Sequence, residues 1–205
     1  MQSLTPSDGR TASLERSTGE TSIKLSINLD GQGQYQVDTG NGFLDHMVGQ
    51  LARHGLFDIT LEAKGDVHVG WHHLVEDTAI MLGRAFREAL GEPRGIRRMG
   101  HAIVPLDETL VMVALDFSGR GYAVVETTLN EVMVETLSGD LIQHFLEAFA
   151  IEGRINLHAK VLAGVSPHHK AEALFKALAR ALRDAIEPGP RAAGQVPSTK
   201  GTLDG

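Results

Sequence analysis

The chain has 205 residues, 42% of them hydrophobic and 22% charged, with a formal net charge of −7 and no cysteine. A chain of that length can bury a sizeable core unaided, so a metal, if bound, is expected to serve chemistry or assembly rather than basic folding. The acidic balance, with only the short cluster Arg94, Arg97 and Arg98 on the basic side, argues against nucleic acid; the lack of cysteine removes disulfides and thiolate chemistry; and no apolar run reaches the ~18–20 residues of a membrane span.

Residues 1–15 are polar and lack the apolar core of a signal peptide, so they are expected to form a flexible lead-in, and the protein is expected to be cytoplasmic. Residues 21–30 alternate Ile23, Leu25, Ile27 and Leu29, the pattern of a strand with one buried face. Asp30, Gly31 and Gly33 make a turn, from which 34–38 returns as a second strand. Residues 43–54 switch to helical spacing, with Phe43, Met47 and Leu51 on one face; 56–63 alternate again; 72–90 form a long helix with Ile80, Leu82, Phe86 and Leu90.

The second half repeats this order. Residues 102–105, 109–116 and 122–126 are strands, and 138–150 form a helix with Ser138 placed as its cap. Residues 155–162 are a strand, and 169–186 form a long helix with Leu174, Leu178 and Leu182 inward, ended by Pro188 and Pro190. The expected division is a first half over 16–93, a second over 94–187 and a C-terminal segment over 188–205. The fold class is α+β, internally duplicated, each half a sheet with helices on one face.

The duplication extends to chemistry. Each half carries one histidine on its first helix, His46 or His144, and then His-His-x-x-Glu at the start of its long helix: His72, His73, Glu76, and His168, His169, Glu172. The single histidine precedes its pair by 26 residues in one half and 24 in the other. Residues three and four apart share a helix face, so both histidines flank the glutamate, whereas adjacent residues diverge by about 100°. The two histidines of a pair therefore suit two different ions, with sites assembled from different repeats and across subunits. Six histidines and two glutamates give three nitrogens and one carboxylate per ion. On a six-coordinate metal this leaves two open positions, the mark of a catalytic site. Imidazole and carboxylate suit Mn, Fe, Co, Ni or Zn. His54, His68, His101 and His158 have no such pattern and are expected to be structural or surface residues.

Several ordered stretches resemble one family. Gly42-Phe43-Leu44-Asp45-His46-Met47, His72-His73-Leu74-Val75-Glu76-Asp77, Pro105-Leu106-Asp107-Glu108, Asp116-Phe117-Ser118-Gly119-Arg120, His168-His169-Lys170-Ala171-Glu172 and Pro197-Ser198-Thr199-Lys200-Gly201 are similar to the signatures of the imidazoleglycerol-phosphate dehydratases of histidine biosynthesis. The likeness runs from about Arg16 to Gly201. It departs at Gly70 and Trp71, where acidic residues are common, at Leu74, where threonine is common, and at Ser166, in place of a frequent asparagine. These positions bear on the support of metal-bound histidine.

The resemblance implies a metal-dependent hydro-lyase that converts D-erythro-imidazoleglycerol phosphate into imidazoleacetol phosphate and water. The substrate's imidazole, once held by metal, can lose its ring proton and push out the neighbouring hydroxyl; a base then takes the carbon proton, and the enol becomes the ketone. It implies the duplicated fold of the ribosomal-protein-S5 domain-2-like class, with helices between sheets, and trimers assembled by metal into a shell of twenty-four subunits. The expected load is two Mn²⁺ per subunit, other divalent ions being compatible, on His46, His72, His73, Glu76, His144, His168, His169 and Glu172. By resemblance, Glu20, Asp107 and Glu172 are acid/base candidates, and Gln50, Arg98, Arg120, Lys176, Ser198 and Lys200 hold the phosphate. The segment around Ser198 and Gly201 is expected to close over substrate. A metal-dependent phosphatase would release phosphate from the same substrate, and a metal-storage scaffold would leave the phosphate set without a purpose.

Overall fold

The computed structural model describes residues 9–189 and 194–203. Its elements in chain order are β1 (Thr11–Ser17), β2 (Thr21–Asn28), β3 (Tyr35–Asp38), α1 (Gly42–Gly55), β4 (Asp58–Gly65), α2 (His72–Leu90), β5 (Met99–Leu106), β6 (Thr109–Asp116), β7 (Tyr122–Glu126), the small hairpin β8 (Met133–Val134) and β9 (Leu137–Ser138), α3 (Gly139–Glu152), β10 (Asn156–Ala163) and α4 (Pro167–Ile186). The sheets have the orders β1-β2-β4-β3 and β5-β6-β10-β7, one pattern used twice. In each, two antiparallel pairings are followed by one parallel pairing. The expected α+β duplication is present.

Three expectations need correction. The strand at 34–38 does not return as a hairpin on β2. That strand already has β1 on one side and β4 on the other, so β3 adds to the free edge of β4 in parallel, Tyr35 against Ile59. The lead-in expected over 1–15 overlaps β1, an edge strand whose inward positions are Ala12, Leu14 and Arg16, too weak an apolar pattern to announce itself. Ser138 stands at the start of α3 but does not cap its backbone; its hydroxyl goes to the Asp140 carboxylate. Of the proline stops, Pro188 forms a bridge with Ile96 just past α4, and Pro190 lies outside the described residues.

Helix starts elsewhere follow capping chemistry. The Asn41 side-chain oxygen accepts from the N–H groups of Phe43 and Leu44, and Ser166 accepts from His169 N with Pro167 as the first helical residue. The serine thus performs the capping an asparagine would. Trp71, at the start of α2, offers no side-chain cap and instead packs on the core. Leu74 is buried and faces the core rather than solvent.

The inner face of each sheet is covered by its own helices, α1 and α2 in the first half, α3 and α4 in the second. The helices then pack across the halves, α1 on α4 and α2 on α3. Phe57, Phe86, Phe145, Phe149 and Phe175 are fully buried in this layer. Phe86 of α2 meets Phe149 of α3 edge-on at 5.4 Å, and Phe145 meets Phe175 of α4 at 5.0 Å. At Gly83 a Cβ would lie 2.5 Å from the carbonyl oxygen of Phe149, so α2 and α3 approach as only glycine allows. The outer faces differ. The first sheet presents ion pairs such as Lys24–Glu15 and Lys64–Glu62, while the second presents Met99, Ile103 and Leu162, each about half exposed, together with the Lys160–Glu126 pair. No helix among the described residues is long and apolar enough to cross a membrane.

Phe149→Ala should destabilise the fold by about 3–5 kcal/mol, the cost of emptying a buried aromatic site. Urea unfolding followed by circular dichroism measures it; a loss below about 1 kcal/mol would mean that the α2–α3 seam is not a close-packed core.

Candidate functional site

The packing of helices across the halves assembles two clusters of potential metal ligands. His46 of α1 joins His168 and Glu172 of α4, and His144 of α3 joins His72 and Glu76 of α2; within each trio one ligand atom per residue lies within 4.8 Å of the others. In the first cluster, Glu172 Oε2 sits between His46 Nε2 at 3.0 Å and His168 Nε2 at 3.1 Å. In the second, Glu76 lies 3.2 Å from His144 Nε2 and 3.7 Å from His72 Nε2, and the two imidazoles stack at 4.7 Å. The single histidine of each half thus joins the His–Glu pair of the other half, so that each trio is assembled from different repeats.

These residues fit a divalent ion. Two ligand atoms on one ion, each about 2.1 Å from it, lie at most about 4.2 Å apart, so small side-chain rotations close either trio. The Nε2 of His144 is buried and makes no hydrogen bond, which is what an atom aimed at a metal does. Orientation is supplied from outside the trio: His168 Nδ1 lies 3.0 Å from Glu135 Oε1, leaving Nε2 inward.

The second histidines of the pairs are not in these trios. The rings of His72 and His73 stand at 88° to each other, and those of His168 and His169 at 86°. His73 turns to Asp66, at 3.1 Å, and to Glu20, 3.8 Å from its Nε2. His169 turns to Glu108, at 2.7 Å, and to Asp107, 3.7 Å from its Nε2. One chain therefore brings together three of the four ligands expected per ion. It sets the fourth beside an exposed carboxylate that sequence reasoning named, Glu20 or Asp107. Asp66 and Glu135 carry no sequence signal of this role beyond, for Asp66, an acid in the loop ahead of its pair, and Glu108 belongs to the Pro105–Glu108 stretch without a role of its own there.

Charge is distributed accordingly. The hydrogen bond to Asp66 raises His73 above the ordinary imidazole value, and that to Glu108 does the same for His169. Glu108 is held well below the usual carboxylate range by the Ser166 N–H, His169 and the Val165 N–H. Burial pushes the Glu172 carboxyl up, but hydrogen bonds from Lys176 and His46 outweigh it and bring it to about 2. Of the other histidines, His68, His101 and His158 are exposed, and His54 is lowered by burial and by Lys176 and Arg180.

The phosphate candidates fall into two groups. Gln50 lies 3.4 Å from the His46 ring and Lys176 lies 2.5 Å from Glu172, both at the first cluster. Arg98, Arg120, Ser198 and Lys200 line a separate open cleft of about 580 Å³. Arg98 gives Nε and Nη2 to Asp116 at 2.6 and 2.9 Å and Nη1 to the Pro197 carbonyl at 2.7 Å, so it ties the C-terminal segment to the cleft wall.

Known proteins resemble this chain over most of its length. The profile of the family described as imidazoleglycerol-phosphate dehydratase matches residues 39–182. The chain is 58% identical to an imidazoleglycerol-phosphate dehydratase of Dehalococcoides mccartyi, covering 95% of this chain and 98% of that one. It is 56% identical to one from a Roseiflexus species, covering 97% and 100%. Among solved structures, the Staphylococcus aureus enzyme aligns at a TM-score of 0.79 with 32% identity, over 87% of this chain and 99% of that one. The Pyrococcus furiosus enzyme in complex with (S)-C348 aligns at 0.79 with 35% identity, over 92% and 99%. A family match across the segment that carries both histidine trios, with relatives aligned over nearly their whole length, places this chain in the imidazoleglycerol-phosphate dehydratase family.

Proposed function

We propose that this chain dehydrates D-erythro-imidazoleglycerol phosphate to imidazoleacetol phosphate, a step of histidine biosynthesis in the cytoplasm, using two divalent ions per subunit, Mn²⁺ in the first instance. The observation that carries the metal requirement is the pair of trios, His46/His168/Glu172 and His72/Glu76/His144, each drawn from both halves of the chain. His73 and His169 complete the set by serving ions held by neighbouring subunits. Their divergence from the trios supports this reading, which suits assembly into trimers and a twenty-four-subunit shell. The exposed apolar side chains of β5, Met99 and Ile103, both more than half exposed in one chain, give such an assembly a patch to bury on the otherwise mixed outer face of the second sheet.

When bound, the ions orient the substrate's imidazole and supply Lewis acidity. The chain's own groups do the rest. Glu20 and Asp107 are exposed carboxylates beside the Nε2 atoms of His73 and His169, placed to take the carbon proton and to return one to the departing hydroxyl. Glu172, held ionised at about 2, serves as a ligand, and so low a value makes it a poor proton acceptor near neutral pH, which leaves proton transfer to Glu20 and Asp107. Arg120 and Lys200 supply positive charge and Ser198 a hydrogen bond to the phosphate in the cleft that Arg98 ties to the C-terminal segment, Lys176 and Gln50 add a cation and an amide from the first cluster of a neighbouring subunit, and the segment around Ser198 closes over it. A phosphatase would release inorganic phosphate from the same substrate, whereas the dehydratase leaves the phosphate in place.

Three outcomes test this reading. Removing metal should abolish ketone formation without releasing inorganic phosphate and should yield smaller, still folded assemblies. Mn²⁺ should restore both activity and mass, read by light scattering on the same samples. Full turnover in verified metal-free protein would overturn the metal requirement, and an unchanged particle mass would overturn assembly through metal.

Lys200→Ala should weaken substrate binding ten- to a hundred-fold, the loss of a charge-assisted hydrogen bond of about 1.5–3 kcal/mol, with metal content intact. An unchanged KM removes Lys200 from the phosphate site.

The third outcome is a pH dependence. His73 and His169 are raised above the ordinary value, so in metal-free protein they keep their protons to higher pH than a free imidazole does. Metal must displace those protons, and Mn²⁺ affinity should fall with pH starting above about 6.5. Without metal the sign reverses. The two ion pairs stabilise the fold below the unfolded histidine value and lose that contribution as pH rises through the raised values. An Mn²⁺ dissociation constant that stays flat from about pH 8 to 6 contradicts both ligand assignments.

A further inference from the structure

The two halves brace their second histidines differently. Strand pairing shows which residues correspond: Ser22 pairs with Lys64, and Leu110 with Ala163, so Thr21 matches Thr109 and Glu20 matches Glu108. Gly19-Glu20 and Asp107-Glu108 are therefore equivalent two-residue turns, and Gly65 matches Gly164. In the first half, residues 66–71 separate Gly65 from His72, and this loop supplies Asp66, both of whose oxygens lie 3.1 Å from His73 Nδ1. In the second half only residues 165–167 separate Gly164 from His168, and none is acidic. A side chain at Gly164 has no room either, since its Cβ would lie 2.3 Å from Thr109 Oγ1.

The hairpin turn takes over both tasks. Asp107 occupies the place of Glu20 beside the Nε2 of the histidine, and Glu108 does the work of Asp66 at its Nδ1. Glu108 is anchored on every side. Its Oε2 accepts from His169 Nδ1 at 2.7 Å, and its Oε1 accepts from Ser166 N at 2.8 Å, Val165 N at 3.1 Å and Thr109 Oγ1 at 3.1 Å. All four partners are donors, so two acceptor oxygens are required. Glutamine would turn an NH₂ toward a donor on one side, and aspartate is one methylene too short to span the gap. Asp66, by contrast, sits in a loop whose neighbours Val67, His68 and Val69 are exposed.

From this we infer that Glu108 is the positioning residue of His169, fixing Nδ1 as the N–H and presenting Nε2, and that the ion taking His169 is consequently the harder of the two to remove. The inference rests on His169 being a metal ligand.

The test measures Mn²⁺ binding to metal-free protein by equilibrium dialysis and electron paramagnetic resonance, independently of turnover. Wild type should show two classes of ion, one leaving first to a chelator. Glu108→Gln and Glu108→Asp should each weaken the tighter class ten- to a hundred-fold, the range for loss of a partner that orients a ligand, and leave the other unchanged. His169→Ala should lose the same ion, and Asp66→Asn should weaken only the looser class. Wild-type affinity for both ions in Glu108→Asp would reduce Glu108 to a bystanding charge. Loss of both ions from wild type in one phase would overturn the ranking of the sites. If Glu108→Gln binds as wild type while His169→Ala loses an ion, positioning is wrong and the ligand reading stands; if His169→Ala keeps both ions, the ligand reading falls and takes the positioning with it.

Discussion

Everything chemical in this molecule depends on helices of one half packing against helices of the other. The Phe86–Phe149 contact and the close approach at Gly83 set the separation of α2 and α3, and so decide whether His144 reaches His72 and Glu76. The α1–α4 contact does the same for His46, His168 and Glu172. Apolar burial is non-directional, yet here close packing confers direction, because backbone contact at a glycine and edge-on rings tolerate little sliding. The polar clusters sit on top of a geometry that the core has already fixed.

What could be read beforehand was mostly period and spacing. The i, i+4 relation of His72 to Glu76 and of His168 to Glu172 makes each pair one half of a site, and the angle between adjacent helical residues sends His73 and His169 elsewhere. The partner of each pair was not assignable, since that depends on which helices face each other in space. β3 was misplaced for a related reason: a turn signal says that the chain reverses, not which edge is still open. The supporting acids were the least visible. Glu108 reaches His169 from a hairpin turn 61 residues away in sequence, and no local pattern encodes that. Arg98 was legible as a basic residue but not as a strut. Its backbone is left-handed, with φ 73°, and its guanidinium is committed to Asp116 and the Pro197 carbonyl.

The two clusters share a blueprint without being equal. Where α4 has Lys176 one turn after Glu172, α2 has Ile80 one turn after Glu76. The first cluster therefore carries a cation and an amide, Lys176 and Gln50, while the second is bordered by Asn130, Asp140, Gln143 and Glu147. Duplicated ligands thus lie in different surroundings, Lys176 and Glu135 beside one and Asp140 and Glu147 beside the other, so that among the described residues only the first has a cation to offer an anionic substrate group.

The exchange of histidines between halves has a consequence for what a half-length chain could be. A single copy of this pattern, with one histidine on its first helix and His-His-x-x-Glu on its second, would hold no complete trio. Two such copies docked through the same helix seam would be related by a twofold axis, and each would hand its histidine to the other, creating two identical clusters at once. Covalent joining frees the copies from that identity. After fusion, lysine can replace isoleucine beside one glutamate, and a hairpin turn can replace a loop as the brace of one histidine, without the same change being imposed on the other side.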